Sequence, residues 1–221
     1  MDKISVVLTS CGRPHLLEPT INSFNKYNTY PIEEFIIIDD SGDLPTQEFI
    51  KNQYPKYTHI FNSTRIGQIK SIDKAYSQVK TPYIFHLEDD WEFYEKGFIE
   101  KSLVLLKNDP TIINVWLRER NDTNGHPIEP TQYEHNNIFY YLVSTNWKGG
   151  WGGFSFNPGL RRLKDYNKVK PFENFIPSPP PLEFYTPEFE ISQHYKKLGY
   201  KAVILNQGHV KHIGWNDHIK N

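Results

Sequence analysis

The chain has 221 residues, 38% of them hydrophobic and 15% aromatic, which is enough to bury the core of one large domain or two small ones. With 25 basic and 26 acidic residues its net charge is -1, which does not favour binding to nucleic acid or to an anionic membrane surface. A single cysteine, Cys11, excludes an intrachain disulfide and thiolate metal clusters. Because no apolar run approaches the ~18 residues of a membrane span and no signal-peptide pattern is found, we expect a soluble, cytoplasmic protein.

The first half of the chain alternates strand and helix patterns. Runs of β-branched and aromatic residues predict strands over 4–8, 35–38, 57–61 and 83–87. Apolar residues at helical spacing predict two helices, one carrying Leu17, Ile21 and Phe24 after Pro14, the other carrying Ile66, Ile69, Ile72, Tyr76 and Val79. This order predicts an α/β fold with a largely parallel sheet and helices on both faces.

Polar side chains follow the first two of these strands. Thr9 and Ser10 come after the first strand, and Asp39 and Asp40 come after the second. The sequence Asp-Asp-Ser-Gly that begins at Asp39 is also typical of a simple turn, which is the alternative interpretation. Because ligands bind at the carboxyl ends of the strands in such sheets, we expect these groups to meet in one crevice.

The fourth strand ends in three consecutive carboxylates, Glu88, Asp89 and Asp90, followed by Trp91. Adjacent anions at the end of a buried strand repel one another, so a divalent cation or a network of donors is needed to neutralise them. A solvated turn or a helix N-terminus would also accommodate three acids. The acidic triplet therefore predicts a metal site, with a turn as the alternative.

Four segments of the chain together resemble the glycosyltransferase family 2 pattern on the glycosyltransferase A (GT-A) fold. They are VVLTSCGRP, FIIIDDSGD, NSTRIGQIKSIDKAYSQVKTPYIFHLEDDW and TPEFEISQHYKKLGYKAVIL. The acidic triplet takes the place of the family's Asp-x-Asp (DXD) motif and resembles the Glu-Asp-Asp motif of N-acetylglucosaminyltransferases. The resemblance implies a single GT-A domain over 1–221, with a Rossmann-like nucleotide-sugar-binding half over about 1–110 and an acceptor-binding half over about 111–221.

The resemblance implies a nucleotide site at the ends of the first two strands. Thr9 and Asp40, or its neighbour Asp39, would hold the base and the ribose of the nucleotide. Arg65 would add a charge-assisted contact to the nucleotide. The alternative is that Arg65 is simply a surface cation before a helix.

The resemblance also implies a Mn²⁺ or Mg²⁺ ion, which would neutralise the leaving diphosphate as a Lewis acid. Asp90 would ligate this ion and Glu88 would lie on the nucleotide side, with the role of Asp89 left open. Enzymes of this fold often supply a late histidine as a further ligand, and His212 matches that position, with His209 as the alternate. A lone histidine is otherwise an ordinary surface or core residue.

The second half is less regular, with strands predicted over 112–117, 138–143 and 202–205. The segment WKGGWGG holds four glycines between and beside Trp147 and Trp151. Glycines let the backbone approach a ligand closely, and exposed indoles offer a platform for the apolar face of an acceptor sugar. The alternative is a glycine-rich connection with both tryptophans in the core.

A proline-rich segment, 171–190, predicts an extended loop that forms a lid over the site, with an interdomain linker as the alternative. Thr186 then caps a helix with Pro187 in its first turn, and Gly199 ends it. We expect this helix to present Ile191, Tyr195 and Leu198 on its buried face.

The first turn of this last helix carries two acids, Glu188 and Glu190. Complementarity with the helix dipole alone would explain both. The resemblance to family 2 implies that Glu188 is the catalytic base, with Glu190 as the alternate, although Pro187 replaces the acid that usually precedes it. A base at this position would take the proton from an acceptor hydroxyl in a single, inverting displacement.

The expected function is metal-dependent, inverting transfer of a sugar from a nucleotide-sugar donor to a hydroxyl of a glycan or other acceptor. UDP-sugars are favoured because most metal-dependent relatives use them. A carbohydrate-binding module would also explain the aromatic residues and an acidic cation site, but not the polar ends of the first two strands. A sugar-nucleotide pyrophosphorylase needs a glycine-rich basic loop that TSCGRP lacks, and a glycoside hydrolase pairing Glu88 with Glu188 is weaker still.

Overall fold

The computed structural model describes residues 1–176 and 186–217 of the chain. The strands are β1 Ile4–Ser10, β2 Glu34–Asp39, β3 Thr58–Phe61, β4 Tyr83–Glu88, β5 Trp91–Phe93, β6 Ile112–Trp116, β7 Ile128–His135, β8 Ile138–Val143, β9 Gly159–Arg162, β10 Lys201–Leu205 and β11 Val210–His212. The α-helices are α1 Pro14–Tyr27, α2 Leu44–Gln53, α3 Gln68–Tyr76, α4 Phe98–Asn108, α5 Leu163–Tyr166 and α6 Pro187–Lys197. None of the helices in these two ranges has the length and apolar character needed to cross a membrane.

A five-stranded sheet in the order β3-β2-β1-β4-β9 organises the first half of the chain. β1 pairs in parallel with β2 and with β4, and β2 pairs in parallel with β3. β9 lies at the edge, antiparallel to β4. The prediction of a largely parallel α/β sheet is confirmed.

Alternate residues of the central strands pack into two cores on opposite faces of this sheet. Ile4, Val6 and Leu8 of β1 belong to the core that also contains residues of α1 and α4. Val7, between them, belongs to the core that also contains residues of α3 and α6. All seven residues of β1 are buried, as a strand covered on both faces requires. Helices on both faces are therefore confirmed.

The second half adds a four-stranded sheet in the order β6-β10-β8-β7, in which only β6 and β10 are parallel. A two-stranded ladder joins β5 to β11, antiparallel, with His212 opposite Trp91. Since β5 directly follows the acidic triplet, this ladder brings the C-terminal segment against it.

Some details of the sequence-based expectation are wrong. α3 begins at Gln68, so Ile66 lies outside the helix and is 38% exposed. Leu198, expected on the buried face of the last helix, is its C-cap and is 49% exposed. α2 went unpredicted because two of its three buried residues are polar, Thr46 and Gln47, which leaves no apolar periodicity to detect.

The middle of the predicted lid, 177–185, lies outside the described residues. The described part before it contains a short 3-10 turn, Phe172–Phe175, and the side chain of Phe172 packs in the core beside α3 and α6. The start of this segment is therefore anchored on the sheet.

Candidate active site

A cavity of about 340 Å³ lies at the carboxyl ends of β1, β2 and β4. Its lining includes Thr9, Asp40, Glu88 and Asp90. Thr9 is directly opposite Glu88 in the β1/β4 ladder, because parallel pairing aligns the ends of the two strands. The expected convergence of polar strand ends in one crevice is confirmed, and we call this space the first cavity.

The acidic triplet has an internal cation, Arg13, in the loop between β1 and α1. Its Nη2 atom forms an ion pair with the Asp89 carboxylate and a second one with Asp90 Oδ2 at 3.0 Å. Asp89 is 1% exposed and also accepts a hydrogen bond from Ser10 Oγ at 2.9 Å. All three carboxylates border the first cavity, and Asp89 is the one most fully engaged by donors within the chain. Arg13 was missed by sequence reasoning, although its position in CGRP directly after β1 is a signal that could have found it.

Glu88 accepts hydrogen bonds from Gln68 Nε2 at 2.7 Å and from Trp91 Nε1 at 3.3 Å. Burial raises the pKa of Glu88 well above its ordinary value, and the nearby carboxylates of Asp90 and Glu188 raise it further. The ionised form of Glu88 is therefore unfavourable unless a cation lies close to it.

Asp90 and His212 form a pair at the wall of the first cavity. The distance between Asp90 Oδ2 and His212 Nε2 is 3.4 Å, and each side chain is 11% exposed. The residue after His212 also binds the backbone of Asp90: the N–H of Ile213 donates to the carbonyl oxygen of Asp90 at 2.8 Å. A Cβ atom on Gly214 would lie 2.6 Å from Asp90 Cβ, so only glycine allows this close approach.

A carboxylate oxygen and an imidazole nitrogen are a donor set that suits Mn²⁺. Across 1–176 and 186–217, however, no three His, Cys, Asp or Glu side chains are grouped so that they could hold an ion by themselves. Asp90 and His212 would supply two ligands to such an ion, and its other ligands would have to come from a bound molecule or water. His209 lies elsewhere, fully buried, with its Nε2 3.0 Å from Lys101 Nζ.

The two aspartates after β2 have different surroundings. Asp40 lines the first cavity and accepts hydrogen bonds from the backbone N–H groups of Ile66 and Gly67, both at 2.8 Å. These bonds fix the loop that carries Arg65, which also lines the first cavity. Asp39 is fully buried and accepts from the backbone of the turn that follows it. Of the two, Asp40 is the one that can reach a ligand in this cavity.

A second, larger cavity of about 700 Å³ adjoins the first. Three tryptophans, Trp116, Trp147 and Trp151, line it, together with His126 and Glu188. Arg118, Asn124 and Asn157 line both cavities, so the two spaces are continuous. The tryptophans of WKGGWGG thus face this second cavity.

The glycines of WKGGWGG serve packing as well. A Cβ on Gly152 would lie 2.5 Å from the carbonyl oxygen of Ser192 in α6. Gly153 has φ +84°, and its Cβ would lie 2.7 Å from that of Ala202 in β10. These glycines were expected to let the backbone approach a ligand closely. At Gly152 and Gly153 they instead let the segment pack closely against α6 and β10.

Glu188 lies at the N-terminus of α6, where it can reach the second cavity. The start of the helix is as predicted, since Thr186 Oγ1 accepts from the N–H of Phe189 at 3.2 Å. Glu188 Oε2 accepts from the N–H of Phe156 at 2.9 Å. Burial raises the pKa of Glu188, and the Phe156 N–H and the charge of Arg161 offset only part of that effect. Glu190 lies in the same turn but, unlike Glu188, is not part of the cavity wall.

The sequence model of glycosyl transferase family 2 matches residues 5–169, well over half of the chain. The chain belongs to this family. The resemblance stated from the four sequence segments is therefore confirmed. No curated protein is significantly similar to the sequence.

Solved structures of glycosyltransferases with the GT-A fold are similar to this chain. TarS of S. aureus, residues 1–349, superposes with a TM-score of 0.61 at 15% identity, covering 94% of this chain and 59% of that fragment. The mannosyltransferase PcManGT from Pyrobaculum calidifontis, in complex with GDP-Man and Mn²⁺, gives a TM-score of 0.63 at 12% identity, covering 91% of this chain and 55% of the PcManGT chain. GalNAc-T7 with UDP, GalNAc and Mn²⁺ gives a TM-score of 0.64 at 16% identity, covering 96% of this chain and 44% of the GalNAc-T7 chain. These likenesses confirm the predicted GT-A fold, and the chain spans about half of the length of each of these three solved chains.

Proposed function

We propose that the chain is the catalytic domain of a metal-dependent, inverting glycosyltransferase. It would transfer a sugar from a nucleotide-sugar donor, with a UDP-sugar favoured, to a hydroxyl of a glycan or other acceptor. The single observation that carries this proposal is that two cavities of different chemistry adjoin. One is lined by the acidic strand ends and the other by tryptophans and Glu188. The donor half would comprise about 1–110 and the acceptor half about 111–221.

The first cavity is suited to a nucleoside diphosphate. Thr9 and Asp40 would face the base and ribose, Glu88 the ribose side, and Arg65 the nucleotide. Asp39 would contribute from behind, since it is fully buried against the following turn, and Asp89 would border the nucleotide while it is paired with Arg13. Two of the three similar structures contain UDP or GDP-Man with Mn²⁺, and TarS has also been solved with UDP-GlcNAc. This supports a nucleotide-sugar donor and a divalent ion.

Asp90 and His212 are the residues that would hold the divalent ion. When bound, Mn²⁺ or Mg²⁺ would neutralise the charge that develops on the departing diphosphate. Arg13 would keep Asp90 oriented through its ion pair, and the Asp90–Ile213 backbone bond would keep the C-terminal segment beside it.

Glu188 is the proposed general base. Its carboxylate borders the second cavity, where an acceptor lying against Trp147 and Trp151 would bring a hydroxyl within its reach. The hydroxyl oxygen would attack the anomeric carbon as its proton passes to Glu188 and the diphosphate departs from the opposite side, which inverts the configuration. The raised pKa of Glu188 brings it closer to neutral pH, where proton transfer by a carboxylate is more effective.

The substitution Glu188→Gln tests the base. We expect transfer to fall by about 10²–10⁴-fold, the usual contribution of general base catalysis, because the amide cannot accept the proton. Glu190→Gln, in the same helical turn, is the matched control and should keep most of the activity. Activity retained in Glu188→Gln would refute the assignment of the base.

Nucleotide binding provides a test that does not need the acceptor. UDP with Mn²⁺ should raise the Tm of the chain, by the equivalent of about 2.7 kcal/mol when the ligand is at 100 times its Kd, and EDTA should reverse the effect. Glu188→Gln should show the same increase, since Glu188 belongs to the acceptor side. If no nucleoside diphosphate changes the Tm, a carbohydrate-binding module becomes the better explanation.

A further inference from the structure

Arg161 in β9 is a buried cation without a direct counter-ion. It is 3% exposed, and its guanidinium lies over the rings of Phe154 and Phe156, at 4.9 and 5.3 Å from their centroids. Three other arginines, Arg13, Arg118 and Arg162, each pair with an aspartate. Among the described residues no such pair is found for Arg161. A buried charge of this kind is unfavourable unless hydrogen bonds or a more distant charge compensate it.

The hydrogen bonds of Arg161 are directed to the backbone on both sides of Phe156. Its Nη2 atom donates to the carbonyl oxygen of Ser155 and, at 3.4 Å, to that of Asn157. Its Nη1 atom donates to the hydroxyl oxygen of Tyr76 at 2.9 Å. A planar guanidinium holds several acceptors in fixed relative positions, which the ammonium group of a lysine does not. Arg161 therefore fixes the backbone over 155–157.

A single peptide group connects Arg161 with Glu188. The peptide bond between Ser155 and Phe156 is trans, so its carbonyl and its N–H point in opposite directions. The carbonyl accepts from Arg161, and the N–H donates to Glu188 Oε2 at 2.9 Å. A cation at the carbonyl and an anion at the N–H both act along the dipole of the peptide, and hydrogen bonds in series strengthen one another. Glu188 is thus the counter-ion of Arg161, joined to it through a neutral peptide.

We propose that Arg161 is a positioning residue, which orients the Glu188 carboxylate through the peptide between Ser155 and Phe156. In the described part of the chain it belongs to the wall of neither cavity, so it acts through Glu188 and not on a ligand. The charge of Arg161 also lowers the pKa of Glu188, against the larger effect of burial. That this orientation serves catalysis rests on the proposed role of Glu188 as the general base.

Other titratable groups lie around Glu188 as well. They are Glu190 in the same helical turn, Glu88 at the end of β4, and Arg118 and His126 in the wall of the second cavity. All of them remain in variants of Arg161. A comparison of such variants with the wild type therefore isolates the contribution of Arg161.

The titration of Glu188 can be measured on the intact chain without any substrate. Glutamate is labelled with carbon-13 at Cδ, and the NMR resonance that is missing from Glu188→Gln identifies Glu188. Arg161→Met keeps an unbranched side chain but removes the charge and all the N–H donors. We expect a higher pKa of Glu188 in Arg161→Met than in the wild type, because both the cation and the fixed direction of the Phe156 N–H are lost.

Turnover should change with this titration. The assay is UDP release, in the presence of Mn²⁺, from the UDP-sugar that gives the highest rate in a panel. In Arg161→Met the acid limb of the pH–rate profile should move to higher pH. The rate above that limb should fall about tenfold, which corresponds to the loss of one hydrogen bond to the base.

Two further variants separate positioning from a loss of packing. Arg161→Lys keeps the charge but cannot hold both carbonyls, so its pKa of Glu188 should lie between those of the wild type and Arg161→Met. Tyr76→Phe removes the acceptor of Nη1 and leaves the contacts with 155–157 in place. It should lower the Tm but leave the pKa of Glu188 unchanged. All three variants should keep the Tm increase given by UDP and Mn²⁺, because neither Arg161 nor Tyr76 lines the first cavity as described.

Three results would overturn the positioning role. They are an unchanged pKa of Glu188 in Arg161→Met, a pKa in Arg161→Lys equal to that of the wild type, and an increase in Tyr76→Phe as large as that in Arg161→Met. If Arg161→Met does not fold, Arg161→Lys and Tyr76→Phe decide the question by themselves.

The outcomes also distinguish this inference from the proposed function. A titration of Glu188 that depends on Arg161, in a chain that turns over no UDP-sugar, would support the positioning and remove the transferase. Turnover that is lost in Glu188→Gln but unchanged in rate and pH profile in Arg161→Met would support the base and overturn the positioning.

Discussion

Arg162 in β9 joins the two sheets, and its removal should destabilise the protein more than most single substitutions. Its side chain is 5% exposed and that of its ion-pair partner Asp165 is 2% exposed. Arg162 also donates to the carbonyl oxygens of Leu106 at the end of α4, Pro110 and Ile112 in β6. Arg162→Met would leave a buried carboxylate and three carbonyl groups without this donor.

The expected loss of free energy of unfolding follows from these contacts of Arg162. Removing one partner of a buried ion pair costs about 3–5 kcal/mol, a large share of the ~5–15 kcal/mol by which a typical domain is stable. For a chain of this length it corresponds to a fall in Tm of about 6–20 °C. Urea unfolding followed by circular dichroism would measure the free energy of unfolding.

Two controls make the prediction specific. Lys3→Met breaks the exposed pair of Lys3 with Glu33, whose side chains are 64% and 49% exposed, and should cost at most ~1 kcal/mol. The double variant Arg162→Met with Asp165→Asn should be less destabilised than the sum of the single changes, because no buried charge is left unpaired. If Arg162→Met costs no more than Lys3→Met, the buried network does not stabilise the junction between the sheets.

Three further outcomes are expected. Gly214→Ala should lower stability by about 1–3 kcal/mol and weaken the thermal shift given by Mn²⁺ with UDP, because the added Cβ would displace Asp90; an unchanged Mn²⁺ shift would contradict this. If Glu188 is the base, turnover should fall as the pH is lowered through its raised pKa, because the base must be deprotonated, and a pH–rate profile whose acid limb lies at the ordinary pKa of glutamate would contradict it. Burial lowers the pKa of His209 to about 4, so its contribution to stability is present above its unfolded pKa of about 6.5 and is lost as the pH falls towards 4. His209→Gln should make that fall shallower by about 1.4 kcal/mol per pH unit, measured by urea unfolding across this range, and an unchanged slope would argue against it.

Local patterns in the sequence were sufficient for the parallel half of the fold. The runs 4–8 and 83–87 carry β-branched or aromatic residues on both faces, a pattern typical of strands that are buried on both sides. The caps of α6 were equally readable, since Thr186 and Gly199 act on their own helix. The antiparallel edge strand β9 was not predicted, because a four-residue strand gains its place from the neighbour it pairs with.

The candidate site divides in the same way. The acidic triplet and the acids of α6 could be identified from the sequence because each lies at the end of a recognisable element. The partners of these acids were decided only by contacts between distant positions: Arg13 pairs with Asp89, and the pairing of β5 with β11 brings His212 to Asp90. His126, in the wall of the second cavity, gave no signal in the sequence. A residue type and its periodicity report the local backbone, whereas burial and ion pairing depend on which remote segments pack around the side chain.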